Sequence, residues 1–384
     1  MARPLRVSDE DQSWELLKSI AIGRQGSAAW ADAEDRIRSG GFNHDALIGQ
    51  AVQHTLMETT AAFVEALDER PVLPNRTLNH LEHCLSANRV ATVKCLDDAA
   101  EAGNAMSQEG VRFAFTKGII CQQTFYDGLG ARRFNDIDMM VHPDDAKEAA
   151  TVLTGLAYVE RHYFDNRTQS LVPISKHRQA MYRLSPDHLP HFTRLNPGSL
   201  PSHTAVDVAL SLTWHGSPWQ VGVGDALDEV QVVGCRIPGG SVDLLALPQE
   251  YDLIFHVLHL FREGWFERTV IEKDVRLSQF TDVVRGWGAL EPAARERFVN
   301  LIRSSGIELP VAWVLCHADA VFGSTMADEC GLASYGTWEW MSSMAGRGGY
   351  LRWDGDMEQR LRKSTTVSRT RSEKPEILNA TSGR

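Results

Sequence analysis

Apolar residues recur at helical spacing through the first part of the chain. From Ser13 to about Gly110 they fall three or four positions apart, as in DALIGQAVQHTLMETTAAFVEAL, and alternating β-branched runs are rare. The two prolines of RPVLPNRT interrupt this pattern and divide it into at least two helical parts. We therefore predict a helical N-terminal unit over residues 1–110.

The pattern of apolar positions changes near Val111. Two short runs, VRFAFTKG and FNDIDMMV, are typical of strands, and IICQQTFYDGL between them is typical of a helix. A further helix is predicted at HPDDAKEAATVLTGLAY, and strand-like pieces recur at AMYRL, HFTRL and TAVDVALSLTW. A mixed sheet with helices packed on it is the simplest arrangement, and we place this α/β core at residues 111–240.

Helical spacing returns after Leu244, in QEYDLIFHVLHLFREGWF, VRLSQFTDVVRGW and PAARERFVNLIRSSG. It predicts a helical C-terminal unit over residues 241–346. Residues 347–384 are rich in Arg, Ser, Thr, Gly and Lys and poor in large apolar residues, so we predict a flexible tail there. The resulting fold class is α+β, with a mixed β-sheet core flanked by helical units.

The composition is that of an ordinary globular protein, with 43% hydrophobic and 23% charged residues. No stretch approaches the roughly 18 apolar residues of a membrane span, and the N-terminus lacks the apolar segment of a signal peptide. The six cysteines are scattered without a Cys-x-x-Cys pair, which favours reduced thiols. We therefore expect a cytoplasmic protein with no membrane partner. The formal net charge of -11 disfavours a long nucleic acid as partner.

Two aspartates stand in an otherwise apolar predicted strand. Asp136 and Asp138 are two positions apart in FNDIDMMV, so a strand directs both carboxylates to the same face. Like charges about 6–7 Å apart repel each other, and a cation that both can bind removes that penalty. Hard oxygen ligands favour Mg²⁺ bound jointly with substrate phosphates. The alternative is a solvent-facing strand edge with two ordinary surface aspartates.

Four residues near these aspartates are predicted to bind a nucleotide. Lys117 and Gly118 lie where the first strand turns into a helix, and glycine lets a ligand approach the backbone and the first amides of that helix. Lys117 adds a compact charge, and Arg132 and Arg133 precede the acidic strand, within reach of phosphate oxygens. A solvated loop is the alternative for either pair.

These residues lie in a segment that resembles a known family. TKGIICQQTFYDGLGARRFNDIDMMVHPDDAKEAATVLTGLAYVE is similar to the core of the bacterial uncharacterised nucleotidyltransferase family, within the DNA polymerase β-like superfamily. The resemblance covers about residues 100–290. It is carried, in the family's order and spacing, by Lys117, Gly118, Tyr126, Arg132, Asp136, Asp138, Val141 and Tyr158.

The resemblance extends to a later strand. TAVDVALSLTW is similar to the family's strand with a further acidic residue, which implies that Asp207 is a third carboxylate. Relatives often have Asp-x-His there, but this chain has Ala209, so the histidine function is absent or supplied elsewhere. Ile119 replaces the superfamily's serine, which leaves phosphate contacts to backbone amides, Lys117 and Arg132. Taken alone, Asp207 also fits an aspartate that bonds a neighbouring turn.

The resemblance implies a magnesium-dependent nucleotidyltransferase. One or two Mg²⁺ ions, replaceable by Mn²⁺, would be bound by the three predicted catalytic residues, Asp136, Asp138 and Asp207. A nucleoside monophosphate would pass from a nucleoside triphosphate such as ATP to an acceptor, with release of pyrophosphate. Because family members often lie beside natural-product biosynthesis genes, a small metabolite or peptide is the first expectation for the acceptor and a protein the second. The alternatives are kinase-like phosphoryl transfer on the same fold and a non-catalytic nucleotide-binding regulatory protein.

A dense basic stretch, residues 176–194, lies between the two acidic strands. Its arginines include Arg183 and Arg194. Its local charge predicts binding of a phosphate group or of an acceptor, and a solvated hairpin is the alternative. The predicted acceptor-binding residues are Lys176, His177, Arg178, His188 and His191.

One pair of histidines is not predicted to form a metal site. His256 and His259 are three positions apart on a predicted helix, but the sequence indicates no carboxylate or cysteine that completes a zinc set. We expect packed or hydrogen-bonded histidines there.

Overall fold

The N-terminal part of the chain is helical, as the spacing of apolar residues predicts. A computed structural model describes residues 9–69, 71, 73–183, 186–363 and 367–380. Its first helices are α1 (Asp9–Ile22), α2 (Ala28–Ser39), α3 (His44–Gln53), α4 (Met57–Glu65) and α5 (Asn75–Gln108). Side chains cap two of them, because Ser27 accepts a hydrogen bond from the N–H of Trp30, and Asn43 accepts one from the N–H of Ala46.

A mixed sheet follows, with helices between its strands. The strands are β1 (Phe113–Thr116), β2 (Ile137–Val141), β3 (Val159–Glu160), β4 (His162–Asp165), β5 (Ser170–Pro173), β6 (Phe192–Leu195), β7 (His203–Ala209), β8 (Gln231–Ile237) and β9 (Gly240–Ala246). The helices are α6 (Gly118–Thr124), α7 (Ala146–Gly155), α8 (Lys176–Arg183) and α9 (Val223–Asp228). Seven strands form one sheet in the order β3-β6-β7-β2-β1-β9-β8, and β4 and β5 form a separate hairpin.

The strand pairing confirms a mixed sheet. β2 is antiparallel to β1 and parallel to β7. HFTRL is confirmed as a strand, since it contains β6. The strand predicted at AMYRL is wrong, because residues 180–183 belong to α8. The helix sequence KHRQAMYR is rich in strong helix formers, and this local preference outweighs the short apolar pattern.

Helices cover both faces of the sheet. On one face, Phe115 packs in a core shared with α5 and α7. On the other face, Met140 and Ala209 belong to the core of the C-terminal helices. Because side chains two apart on a strand share a face, Asp138 and Asp207 point to this second face. The carboxylates therefore lie where the sheet meets the C-terminal helices.

The C-terminal helices are α10 (Gln249–Trp265), α11 (Glu267–Glu272), α12 (Leu277–Ala289), α13 (Pro292–Ser305), α14 (Glu308–Phe322) and α15 (Met326–Glu329). The three helices predicted from the sequence are confirmed as α10, α12 and α13. Pro292 suits the first turn of α13, and Gly306, with φ of 62°, suits its end.

The flexible tail predicted from residue 347 is corrected by the structure. After α16 (Trp338–Met341) come β10 (Ser343–Gly346), β11 (Gly349–Trp353), α17 (Met357–Arg362), β12 (Arg369–Ser372) and α18 (Ile377–Ala380). β11 pairs with β10 and β12, and Trp353, Met357 and Leu361 are buried in the main core. A few large residues at well-spaced positions are enough to pack a segment whose average composition is polar. The division of the chain at residues 110 and 240 stays a prediction.

Buried Arg285 joins α12 to the end of α1. Its Nε donates to the carbonyl of Ala21 at 2.6 Å, and its Nη2 donates to the carbonyl of Gly23 at 2.7 Å. The guanidinium also lies 4.4 Å from the ring centre of Tyr126. Carbonyl groups at a helix end lack helical partners and attract cations. Arg285 therefore holds the N-terminal helices against α12.

Among the helices of the described ranges, none is both long and apolar enough to cross a membrane.

Candidate active site

Three carboxylates meet at the centre of the sheet. Asp138 of β2 and Asp207 of β7 are register partners in a parallel pair, so their strands lie roughly 5 Å apart. Asp136 directly precedes β2 and lines the same cavity as the other two. The structure therefore brings together the three residues that the sequence predicts as catalytic.

Lys117 occupies the turn between β1 and α6. Its φ of 50° lies in the left-handed region, which costs a non-glycine residue about 1–3 kcal/mol. Asp252 of α10 holds the turn, because its carboxylate accepts hydrogen bonds from the Thr116 hydroxyl and, at 3.1 Å, from the N–H of Lys117. The side chain of Lys117 places Nζ 2.9 Å from Oδ1 of Asp138. An ammonium group is thereby fixed beside the central carboxylate.

The charges of this cluster shift one another's pKa values. Burial raises the pKa of Asp136 to about 7, and the charges of Asp138 and Asp207 add to the shift. Burial opposes the charge of Lys117, but the neighbouring carboxylates raise its pKa above the ordinary value. Three carboxylates against one ammonium group leave an excess of negative charge that a bound cation would neutralise.

Two histidines flank Asp207. Nδ1 of His188 lies 3.5 Å and Nε2 of His191 lies 3.6 Å from Oδ1 of Asp207, an atom without a hydrogen-bond partner among the described residues. Burial opposes ionisation of Asp207, but the two imidazoles and Lys117 hold its pKa well below the ordinary value. His188 forms an isolated β-bridge with Ala209. A histidine therefore stands beside Asp207 although position 209 is alanine.

These groups line a cavity of about 340 Å³ between the sheet and the helices α10 and α12. Its volume falls within the range of about 300–1,000 Å³ that small-molecule sites occupy. Its walls carry both signs of charge. The ionisable Asp, Glu, Lys and Arg residues are Asp136, Asp138, Asp207, Glu263, Asp282, Lys117, Arg132, Arg133, Lys273 and Arg276. Such a cavity suits a polyanion that binds together with a cation.

Comparison with known proteins identifies the family to which the chain belongs. A model of proteins described as uncharacterised nucleotidyltransferases matches residues 40–323. The chain belongs to this uncharacterised nucleotidyltransferase family. The match extends beyond the predicted 100–290 on both sides and includes the three carboxylates and α10 and α12. No curated protein matches the chain.

Within this member of the nucleotidyltransferase family, Arg132 is already paired. Its Nε and Nη2 donate to the two carboxylate oxygens of Asp282, at 2.9 and 2.6 Å, and Tyr126 donates its hydroxyl to the same carboxylate at 2.7 Å. The expectation that Arg132 reaches phosphate oxygens with a bidentate contact is therefore revised, since this edge of its guanidinium is occupied. Arg133 keeps 55% of its side chain exposed, with Glu58 at 3.8 Å.

Several cavity residues were missed in the sequence. Lys273 and Arg276 add cations from the segment between α11 and α12, and Lys273 lies 3.3 Å from Glu263. Arg276 directly precedes α12, where the positive end of a helix disfavours a cation. A basic residue at the start of a predicted helix was therefore the feature of the sequence that could have indicated a functional role for Arg276. Asp282 offered no signal, because an acidic residue in the middle of an amphipathic helix is ordinary.

The predicted acceptor residues separate in the structure. His188 and His191 lie beside Asp207, as described above. Arg178 of α8 lines a second cleft of about 390 Å³ next to the active site. Lys176 and His177 are exposed and line neither cavity. Arg194 instead pairs with Asp98 and Glu101, and the Arg183 side chain lies outside the described residues.

A buried Cys-His-Asp group adjoins the Lys117 turn. The sequence indicated no carboxylate or cysteine near His256, but Sγ of Cys121 lies 2.9 Å and Oδ2 of Asp252 lies 3.8 Å from its Nε2. These donor atoms lie within 4.8 Å of one another and are able to hold a metal ion. Burial raises the pKa of the Cys121 thiol well above its ordinary value, so a neutral hydrogen-bonded thiol accounts for the contact.

Replacing Gly118 by alanine is expected to lower both stability and activity. A Cβ at this position would lie 2.6 Å from Cβ of Phe134 and 2.8 Å from Nη1 of Arg132. Such overpacking costs about 1–3 kcal/mol and displaces the turn that carries Lys117. Gly49→Ala is the control, because no atom lies within 4 Å of its added Cβ. Thermal unfolding and initial rates measure both effects, and equal behaviour of the two variants would contradict the packing at Gly118.

Proposed function

We propose that this chain is a magnesium-dependent enzyme that transfers a nucleoside monophosphate from a nucleoside triphosphate to an acceptor. The observation that carries the proposal is the alignment of Asp138 and Asp207 on neighbouring strands, with Nζ of Lys117 2.9 Å from Asp138, inside a cavity of small-molecule size. Membership of the nucleotidyltransferase family supports it.

The donor set fits Mg²⁺. Asp136, Asp138 and Asp207 offer carboxylate oxygens, the hard ligands that Mg²⁺ prefers. Oδ1 of Asp207 is buried without a hydrogen-bond partner among the described residues, and burial together with the neighbouring carboxylates raises the pKa of Asp136. Both features are those of a cation site. When bound there, one or two Mg²⁺ ions, or Mn²⁺ in their place, would neutralise charge on the triphosphate and on the leaving pyrophosphate.

The surrounding side chains divide the remaining tasks. Lys117 pairs with Asp138 and presents its ammonium group to the triphosphate, and Arg133 and Lys273 supply exposed cations at the cavity mouth. Asp207 orients the acceptor and takes its proton, because it lies on the side of Asp138 away from Lys117. Arg132 contributes indirectly, since its contact with Asp282 positions the wall next to Gly118.

The proposed acceptor is a small metabolite or peptide. The chain's formal net charge of -11 argues against a long nucleic acid, and the cavity volume suits a nucleotide with a small partner. The second candidate function is kinase-like transfer of the γ-phosphoryl group in the same cavity. It is chemically close because the same carboxylates and cations would bind the triphosphate.

The test is Mg²⁺-dependent turnover of labelled nucleoside triphosphates with a panel of hydroxyl, amine and phosphate acceptors. The proposal expects pyrophosphate and a nucleotidylated product detected by mass spectrometry. Release of nucleoside diphosphate would support the kinase-like alternative. Nucleotide binding without any product across the panel would favour a regulatory protein.

Lys117→Ala and Asp207→Asn are expected to separate kinetically. The lysine variant should raise the Km for the nucleotide by about tenfold to a hundredfold, because it loses a charged contact worth roughly 1.5–3 kcal/mol. The aspartate variant should lower kcat by about 10²–10⁴-fold with little change in Km, as expected for loss of proton transfer. Steady-state kinetics measure both, with Lys147→Ala on α7 as the exposed control. Equal Km changes with unchanged kcat in the two variants would remove the assigned roles.

A further inference from the structure

A second cleft opens beside the active site. It has a volume of about 390 Å³, and its walls come from the β4–β5 hairpin, α8, β6 and β7. It meets the active site at His191, which lines the cleft and lies 3.6 Å from Oδ1 of Asp207. Ala205 of the cleft and Asp207 lie two positions apart on the same face of β7, about 7 Å from each other. The cleft therefore reaches Asp207 from the side away from Lys117.

The cleft is positively charged in an acidic protein. Arg161 and Arg178 line it, and no carboxylate is among its described lining residues. Arg178 is exposed and lies within ion-pair distance of no carboxylate in the described part of the chain, whereas Arg161 pairs with Glu160 at 3.1 Å. A guanidinium group without a carboxylate partner, with a second one in the same cleft, favours an anion with planar oxygens, because a guanidinium group is able to make two parallel hydrogen bonds to it.

The cleft also has a flat aromatic wall. The rings of Phe164 and His203 stack with their centres 4.4 Å apart and an angle of 14° between their planes. Tyr182 of α8 also lines the cleft and lies 6.0 Å from the ring of His191. Stacked rings of this kind bind another flat ring by offset or edge contact. The combination of guanidinium groups with an aromatic wall selects for both charge and planarity.

We propose that this cleft binds the acceptor, and that the acceptor is a small aromatic molecule carrying a carboxylate or phosphate group. This inference rests on the proposed nucleotidyl transfer. The anion lies against Arg178 and Arg161, the ring lies against Phe164 and His203, and a hydroxyl points past His191 to Asp207. In the transfer, the acceptor oxygen forms a bond to the α-phosphorus while the bond from that phosphorus to the bridging oxygen breaks. Pyrophosphate leaves with the electron pair, and the hydroxyl proton passes to Asp207.

Binding of defined probes to the full chain tests the cleft without any need for turnover. 4-Hydroxybenzoate and 4-hydroxyphenyl phosphate carry the ring with each anion, trans-4-hydroxycyclohexanecarboxylate lacks the flat ring, and tyramine carries a cation. Calorimetry at millimolar concentrations is expected to show binding of at least one aromatic anion. The two comparison compounds are expected to bind at least about tenfold more weakly. The better of the two anions identifies whether the group is carboxylate or phosphate.

Variants locate this binding. Arg178→Ala is expected to weaken binding of the aromatic anion by at least about tenfold, and Arg178→Glu is expected to abolish it. Arg167→Ala is the matched control, because Arg167 is an exposed arginine in the turn of the β4–β5 hairpin and does not line the cleft. It is expected to change binding by less than about twofold. His203→Ala is expected to weaken the aromatic anions more than the cyclohexane compound.

Failure of the cleft and failure of the proposed function are distinguishable. Equal binding to the Arg178 and Arg167 variants, equal affinity for all four probes, or no binding of either anion would overturn the cleft assignment even if nucleotidyl transfer is observed with another acceptor. The opposite outcome is also possible, in which binding depends on Arg178 but no triphosphate yields pyrophosphate. That outcome would overturn the proposed transfer and would still support the anion site in the cleft.

Discussion

Asp138→Asn is expected to lower turnover by about three orders of magnitude or more while the protein stays folded. Asp138 pairs with Lys117 on one side and aligns with Asp207 on the other, so its charge is needed both for the cation and for the lysine. Loss of one metal-binding carboxylate removes several kcal/mol of charge stabilisation in the transition state. Initial rates at saturating Mg²⁺ measure the effect.

The control for this variant is Asp144→Asn, which changes an aspartate with 79% of its side chain exposed just after the same strand. It is expected to retain near-normal activity. If Asp138→Asn kept the activity of this control, the assignment of the metal site would be wrong.

Asp136→Asn adds a pH-dependent result in the absence of metal. The folded-state pKa of Asp136 is about 7, above the ordinary 3.8, so ionising this carboxyl costs free energy of folding as the pH rises from about 4 to about 7. The variant avoids this cost. Its melting temperature in EDTA should therefore match the wild type near pH 4 and exceed it above pH 7. A constant difference across this range would contradict the crowding of the three carboxylates.

Asp282→Ala is expected to destabilise the protein by about 3–5 kcal/mol. Asp282 is 3% exposed and accepts hydrogen bonds from Arg132 and Tyr126, so the alanine variant leaves the guanidinium group of Arg132, whose side chain is only 17% exposed, without its charge partner. Urea unfolding of the variant and the wild type measures the change.

Two further variants make this result specific. Asp35→Ala removes a carboxylate with 82% of its side chain exposed, and its pair with Arg38 should contribute less than about 1 kcal/mol. The double variant Arg132→Leu, Asp282→Leu is expected to recover much of the loss, because neither buried charge remains. If Asp282→Ala and Asp35→Ala lower the free energy of unfolding by the same amount, the pair of Asp282 with Arg132 contributes no more to stability than a surface ion pair does.

The sequence predicts those parts of the site that depend on local pattern. Asp138 lies in a strand because FNDIDMMV is apolar and short, and alternation then sets the face of its carboxylate. Lys117 is predictable because a strand and a helix meet at it. Asp207 was found through family resemblance, and its alignment with Asp138 follows only from the parallel pairing of β2 and β7.

The remaining features depend on contacts between residues far apart in the chain. Asp282 pairs with Arg132 across 150 positions, and no local pattern indicates which arginine an acidic residue on α12 will meet. The contact of Asp252 with the Lys117 turn spans 135 positions. The packing of Trp353 into the main core was missed because composition averages over a segment, whereas burial depends on single side chains.

Arg285 has a consequence for the route by which substrates enter. Swinging the N-terminal helices outward would strip this buried guanidinium from the carbonyls of Ala21 and Gly23, and no described carboxylate within ion-pair distance would replace them. The N-terminal helices therefore form a fixed wall of the cavity. We expect the movement that admits substrates to occur in another part of the structure. The β4–β5 hairpin forms no strand pairs outside itself within the described sheets, and it is joined to the seven-stranded sheet by contacts such as the stack of Phe164 on His203. We therefore expect substrate to enter and product to leave past the β4–β5 hairpin. A cross-link that immobilises this hairpin should slow product release.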